Sequence, residues 1–211
     1  MISHDKKFIF VHVPRTGGTS LESFFCESQL KHIHFKQKHS RHEHELQDHI
    51  DYFSFSFVRN PWERMLSFYL FDIVGSTKYS LYNWLKLTRI RNRFAQSMSF
   101  FIMHNEKPRV NFVGRYENYH TDVKYICNKL NIEYAELPVL NKTNHNYYVD
   151  YYDEKTKKLV ESMYKEDILN FEYEFGKNNW MISHDNGVIY IDIPFSGGSS
   201  FKEFYIDKHK D

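Results

Sequence analysis

Apolar runs of strand length recur along the chain, and each breaks into a segment with helical spacing. Phe8 to Val13 is nearly continuous in β-branched and aromatic residues, and Phe53 to Val58 alternates Phe with Ser before closing on Val. Such runs, bounded by Gly, Pro and Asn, predict buried strands at 7–13, 53–58 and 110–114. Helical stretches are expected near 18–30, 61–74, 91–104, 117–130 and 154–171. That order predicts an α/β fold of three layers, a mainly parallel central sheet flanked by helices, with the ligand crevice at the carboxyl ends of its strands. The 78–105 stretch, with Trp84, Leu85, Phe94, Phe100, Phe101 and Met103, reads as helical core packing that could also wall an acceptor. Residues 136–150, rich in Asn and Tyr, predict a loop able to cover a ligand.

Two of the strand ends carry chemistry. After the first strand come Pro14-Arg-Thr-Gly-Gly-Thr-Ser20, whose small residues free backbone N–H groups at a helix start, where an anion is favoured. Arg15 adds a fixed positive charge. After the second strand, Arg59 is followed by Asn60, a helix cap, and Pro61, which suits a first helical position; Ser67 falls two turns further on. Two anion sites on one sheet are expected. A Walker-type kinase loop needs a Lys before its hydroxyl residue, and Gly18 stands there, which disfavours ATP chemistry.

The pair of motifs resembles the sulfotransferases that use 3′-phosphoadenosine 5′-phosphosulfate (PAPS), in particular the carbohydrate branch of heparan sulfate 2-O type. Val113-Gly-Arg-Tyr-Glu117, Leu140-Asn-Lys-Thr143 and Tyr164 to Tyr173 add to the likeness, which spans residues 7 to 176. It implies a P-loop-like fold and sulfuryl transfer from PAPS to a hydroxyl or amino group, of a glycan above all. It also implies that Arg15, Thr16, Gly17, Gly18, Thr19 and Ser20 hold the phosphosulfate, that Arg59 and Ser67 hold the 3′-phosphate, and that Arg115 belongs to the donor site. Arg15 would stabilise the leaving phosphate. The matching Lys38-His39-Ser40 makes His39 the expected catalytic base, with His42 and His34 as alternatives.

Composition narrows the class. The 211 residues, 41% hydrophobic and 18% aromatic, suffice for one sizeable core. A formal net charge of +1 gives no global field for nucleic acid, so positive charge for a donor must be local. Cys26 and Cys127 alone argue against a disulfide framework. No apolar run reaches membrane-spanning length, and a cytoplasmic enzyme is expected rather than a trimmed Golgi-type domain. His32, His34, His39, His42, His44 and His49 also permit a metal-binding module, and a non-catalytic nucleotide-binding scaffold is a further alternative; activity without a metal is the expectation.

Met181-Ile-Ser-His-Asp185 repeats Met1-Ile-Ser-His-Asp5 at an offset of 180 residues, and Val188 to Ser200 follows the pattern of the first strand and loop. Phe195 replaces Arg15 and Asp192 replaces His12, so the turn is kept and the cation lost. Residues 1–178 are therefore read as the transferase domain and 179–211 as a partial, degenerate repeat. The repeat is expected to dock on the sheet edge or to join a homo-oligomer through a second chain.

Overall fold

The computed structural model describes residues 1–27, 33–34, 41–72, 79–91, 95–138, 140, 145–177, 181–183, 188–191 and 202–205, with 33–34, 88–91 and those beyond 180 described by their backbone. Strands β1 (Ile2–Ser3), β2 (Phe8–Val11), β3 (Ile33–His34), β4 (Phe53–Val58) and β7 (Phe112–Arg115) form a five-stranded sheet in the order β3-β1-β2-β4-β7. Strands β5 (Met103–His104) and β6 (Lys107–Pro108) make a short separate hairpin. Phe8 pairs with Phe53 and Phe55 with Phe112, all three long strands running parallel, as the sequence predicts. β1, too short for any periodicity to reveal, is antiparallel to both of its neighbours. β3 thereby runs in the direction of β2, β4 and β7, and β1, opposed to the other four described strands of this sheet, makes it mixed.

The unbroken apolar character of β2 follows from burial on both faces. Phe8 and Phe10, with Phe55 and Phe57, pack against Leu21, Phe24 and Phe25 of α1 (Gly18–Glu27) and against Val123 and Ile126 of α6 (Tyr119–Leu130). Ile9, Val11 and Val58 face the opposite way. Their neighbours there are Trp62, Met65 and Leu66 of α3 (Pro61–Asp72), Leu85 of α4 (Leu81–Arg91) and Met98 and Phe101 of α5 (Met98–Ile102). Each buried ring or branched chain removed from water contributes roughly 1.5–3 kcal/mol.

Two expected helices differ in extent. Between α2 (Glu43–Asp48) and the chain's later half, the 91–104 stretch yields only the short α5, capped by the Ser97 hydroxyl accepting from Phe100 N at 3.1 Å, before the chain turns into the β5–β6 hairpin. The 154–171 stretch divides at Tyr164 into α7 (Glu154–Met163) and α8 (Lys165–Asn170). Tertiary contacts decide the break: the Tyr164 hydroxyl donates to Ala95 O at 2.7 Å, and the Asp167 carboxylate accepts from Met98 N and Ser99 N at 2.8 and 2.7 Å, capping α5 from outside.

Near the C-terminus, β8 (Met181–Ser183), β9 (Val188–Ile191) and β10 (Lys202–Tyr205) form an antiparallel sheet of their own, in the order β10-β9-β8. Ile182 pairs with Ile189 and Ser183 with Val188, the same register, 180 residues on, as Ile2 with Ile9 and Ser3 with Phe8. Among the described residues beyond that hairpin, 202–205 differ. Lys202–Tyr205 is a strand on β9, whereas the corresponding residues 22–25 lie in α1. Among the described residues, the second edge of β9 is thus paired with the chain's own next segment, in a sheet distinct from the five-stranded one.

Candidate anion-binding site

The first loop is moulded by what it rests on. Arg15 (φ 67°) and Gly17 (φ 84°) both take left-handed backbone, which for Arg15 costs on the order of 1 kcal/mol and must be held by its surroundings. The buried Thr16 hydroxyl donates back to Val13 O at 2.9 Å. Gly17 O accepts from Ser20 N and Leu21 N at 3.1 and 3.3 Å, closing the first turn of α1, and also from the Tyr119 hydroxyl at 2.7 Å. A Cβ on Gly17 would stand 2.8 Å from Tyr119 Cε2, and one on Gly18 2.3 Å from the His12 ring. His12 Nδ1 in turn lies 2.7 Å from Glu22 Oε1, both side chains buried. The first N–H groups of α1, which no helix satisfies internally, therefore stand at a fixed place beside Arg15.

The second motif converges on the same place. The Asn60 side-chain oxygen accepts from Trp62 N and Glu63 N at 3.1 and 3.3 Å, so α3 starts with Pro61 in its first turn. Arg59, 6% exposed, donates to Glu63 Oε1 at 3.0 Å and to Arg15 O at 3.3 Å, and its guanidinium lies 4.1 Å over the Tyr116 ring. Ser67 Oγ accepts from Arg15 Nε and from a terminal Arg15 nitrogen at 3.1 and 2.8 Å. Beyond it, the Arg15 guanidinium lies 4.5 Å over the Phe71 ring. Burial, and then the neighbouring Arg59, lower the Arg15 pKa to about 10, so it stays charged at neutral pH. Burial acts downward on Arg59 too, but Glu63, Tyr116 and Glu117 together offset it and hold its pKa above the ordinary value. Two cations held together in this way favour an anion.

Arg15, Arg59 and Ser67 are thus brought together, while Thr16, Gly17, Gly18, Thr19 and Ser20 form the loop and the first turn of α1. Ser20 Oγ accepts from Leu140 N at 3.2 Å, so the long loop expected over the site does reach it. Arg115, paired with Val58 at the end of β7, has contacts of its own. It donates to Phe171 O at 2.7 Å and lies 4.9 Å over the Tyr173 ring, tying β7 to the end of α8. His39 lies outside the described residues, as do Asn141 to Thr143, and His34 is described by its backbone. His42 is buried at the left-handed residue before α2, and burial lowers its pKa to about 4. Neutral and 3% exposed, it does not present a ring to a docking acceptor. Among the described residues, no group of three His, Cys, Asp or Glu side chains could hold a metal ion. No described helix is long and apolar enough to cross a membrane.

Several supporting residues were not foreseen. Arg64, fully buried, donates to Pro14 O at 2.9 Å and to Gln96 O at 3.0 Å, tying α3 to the base of the first loop. Tyr119 and Glu117 also touch the motifs. Their signal in the sequence was position: they follow β7, the third parallel strand, where the first two parallel strands carry their own motifs.

Residues 1–99 match the model of the Sulfotransferase family, a span that contains both strand–loop–helix units. The match supports a sulfuryl transferase for this part of the chain. Neither a curated protein nor a solved structure matches the chain.

Proposed function

We propose that this protein transfers the sulfuryl group of PAPS to a hydroxyl or amino group of an acceptor, most readily a carbohydrate such as those used by the heparan sulfate 2-O-like branch it resembles. The carrying observation is the convergence of Arg15, Arg59 and Ser67 from two separate strand ends. In this reading the α1 amides and Arg15 take the phosphosulfate, and Arg59 with Ser67 takes the 3′-phosphate. Arg15, steadied by Ser67 through Nε and one terminal nitrogen, turns its other terminal nitrogen to the donor's oxygens. The acceptor oxygen bonds to sulfur as the sulfur–oxygen bond to the phosphate breaks, and the proton passes to a base, for which His39 is the candidate. Arg15 and the loop amides stabilise the charge gathering on the leaving phosphate. No metal is needed for that charge balance.

Residues 1–178 would form the transferase domain, three-layered and P-loop-like, and 179–211 a degenerate repeat whose hairpin register supports a common origin with β1–β2. That repeat is also the candidate for contact with a second chain. Labelled PAPS offered with a panel of glycans, in excess EDTA, tests the reading. Label should pass to at least one glycan, and PAPS bound without any transfer would favour a nucleotide-binding scaffold.

A further inference from the structure

The residues that follow β7 reach both anion motifs, although they belong to neither. Val58 is paired with Arg115 across the β4–β7 ladder, so Arg59 and Tyr116 leave adjacent strand ends in step. Tyr116 then lies 4.1 Å from the Arg59 guanidinium. Glu117 accepts from Asn60 N at 2.6 Å through one carboxylate oxygen and from the Tyr173 hydroxyl at 3.1 Å through the other, gripping the chain just before α3. Tyr119 passes the end of β4, its ring 5.0 Å from that of Phe57, and donates to Gly17 O at 2.7 Å in the loop after β2. One five-residue stretch, 115–119, therefore spans three strands of the sheet and holds a polar group of each loop.

We propose that Tyr116, Glu117 and Tyr119 are positioning residues that hold the two anion motifs in register, so that one ligand bearing two phosphate-type groups is engaged by both at once. The use made of that register rests on the nucleotide reading above; the register itself does not. A ligand bridging two sites gains from the second contact only when the spacing is fixed, because a loosely held second site contributes a low effective concentration. Arg59, Arg15 and Arg64 already join the motifs directly, through Arg15 O, Ser67 Oγ and Pro14 O, and the β7 end adds a clamp from outside both. Tyr119 pins the first loop from outside, Glu117 pins the second, and the helical turn between them fixes their separation.

Amide hydrogen exchange on the nucleotide-free full chain tests the brace directly. In Tyr119→Phe, which keeps the ring, and in Glu117→Ala, which removes the acceptor of Asn60 N, exchange should quicken at both 18–21 and 60–64 by roughly 5- to 10-fold, the scale of one lost hydrogen bond. Tyr125→Phe, on the exposed side of α6, should leave both segments unchanged. Quickening confined to the motif each side chain touches would overturn the proposal, since a purely local contact behaves in that way. Calorimetry with adenosine 3′,5′-bisphosphate on the same proteins separates the two readings. Weaker binding in both variants than in wild type is expected. No binding by wild type, with the exchange result intact, would sink the nucleotide reading and leave the brace standing.

Discussion

At the scale of single residues, Arg15 bears the largest predicted effect. It is held in left-handed backbone, kept charged against burial and a neighbouring cation, and bonded to Ser67, so its guanidinium is aimed before any ligand arrives. Arg15→Ala should lower sulfuryl-transfer turnover by roughly 100- to 1,000-fold, the range for one preorganised donor, measured as initial rates with labelled PAPS. His42 makes a separate prediction, about stability. Its pKa is lowered to about 4, first by burial, from an ordinary 6.5, so below pH 6.5 the unfolded chain binds a proton that the folded chain refuses. Stability is therefore lost as pH falls from about 6.5 to about 4, by at most about 3 kcal/mol. His42→Asn, which accepts left-handed backbone, should flatten that loss in urea unfolding at pH 7 and pH 4.5; an unchanged slope would contradict it. Arg15 and Arg59 were legible in the sequence because each follows a strand end with its own turn or cap residues, and Ser67 because its spacing from Arg59 puts it two turns into the helix that Asn60 caps. Arg64 was not, since a charge inside the Trp62 to Phe68 run reads as a solvated helix face until Pro14 O and Gln96 O are seen beside it.

At the scale of elements, the strand–loop–helix units followed from local chemistry, and the helix limits did not. Asn60-Pro61 marks the start of α3 by capping alone. The end of α7 and the brevity of α5 depend on Tyr164 meeting Ala95 and on Asp167 meeting Met98 and Ser99, contacts some 70 residues apart that no window of sequence contains. Asp167→Ala should accordingly destabilise the protein by about 1–3 kcal/mol in urea unfolding, because two buried N–H groups lose their acceptor. Gly18→Ala tests the first loop. Its added Cβ would meet a His12 ring that Glu22 and the stacked Phe10 keep from swinging aside, so overpacking should cost about 1–3 kcal/mol and weaken donor binding as the loop shifts. Wild-type stability in that variant would mean that the ring yields.

For the whole molecule, the parallel core β2-β4-β7 was readable from its apolar runs, while β1 and β3, two residues each, offered no pattern, and β1, opposed to the others, makes the sheet mixed. The C-terminal repeat was visible as five identical residues, and its hairpin keeps the register of β1 with β2. Its next segment became a strand because β9 had an open edge, which tertiary pairing rather than helical spacing decides. Asp192 and Phe195, in place of His12 and Arg15, give that segment no cation for a donor, so truncation after Trp180 should leave turnover per folded molecule unchanged in the labelled-PAPS assay. The central claim is that two anion motifs on one sheet act together on a nucleotide bearing both a 5′- and a 3′-phosphate. Calorimetric titration of the wild-type protein with adenosine 3′,5′-bisphosphate and, separately, with ADP tests it most directly. The account predicts binding of the bisphosphate at least 10-fold tighter, on the order of one charge-assisted hydrogen bond or more; equal affinity for the two nucleotides would contradict it.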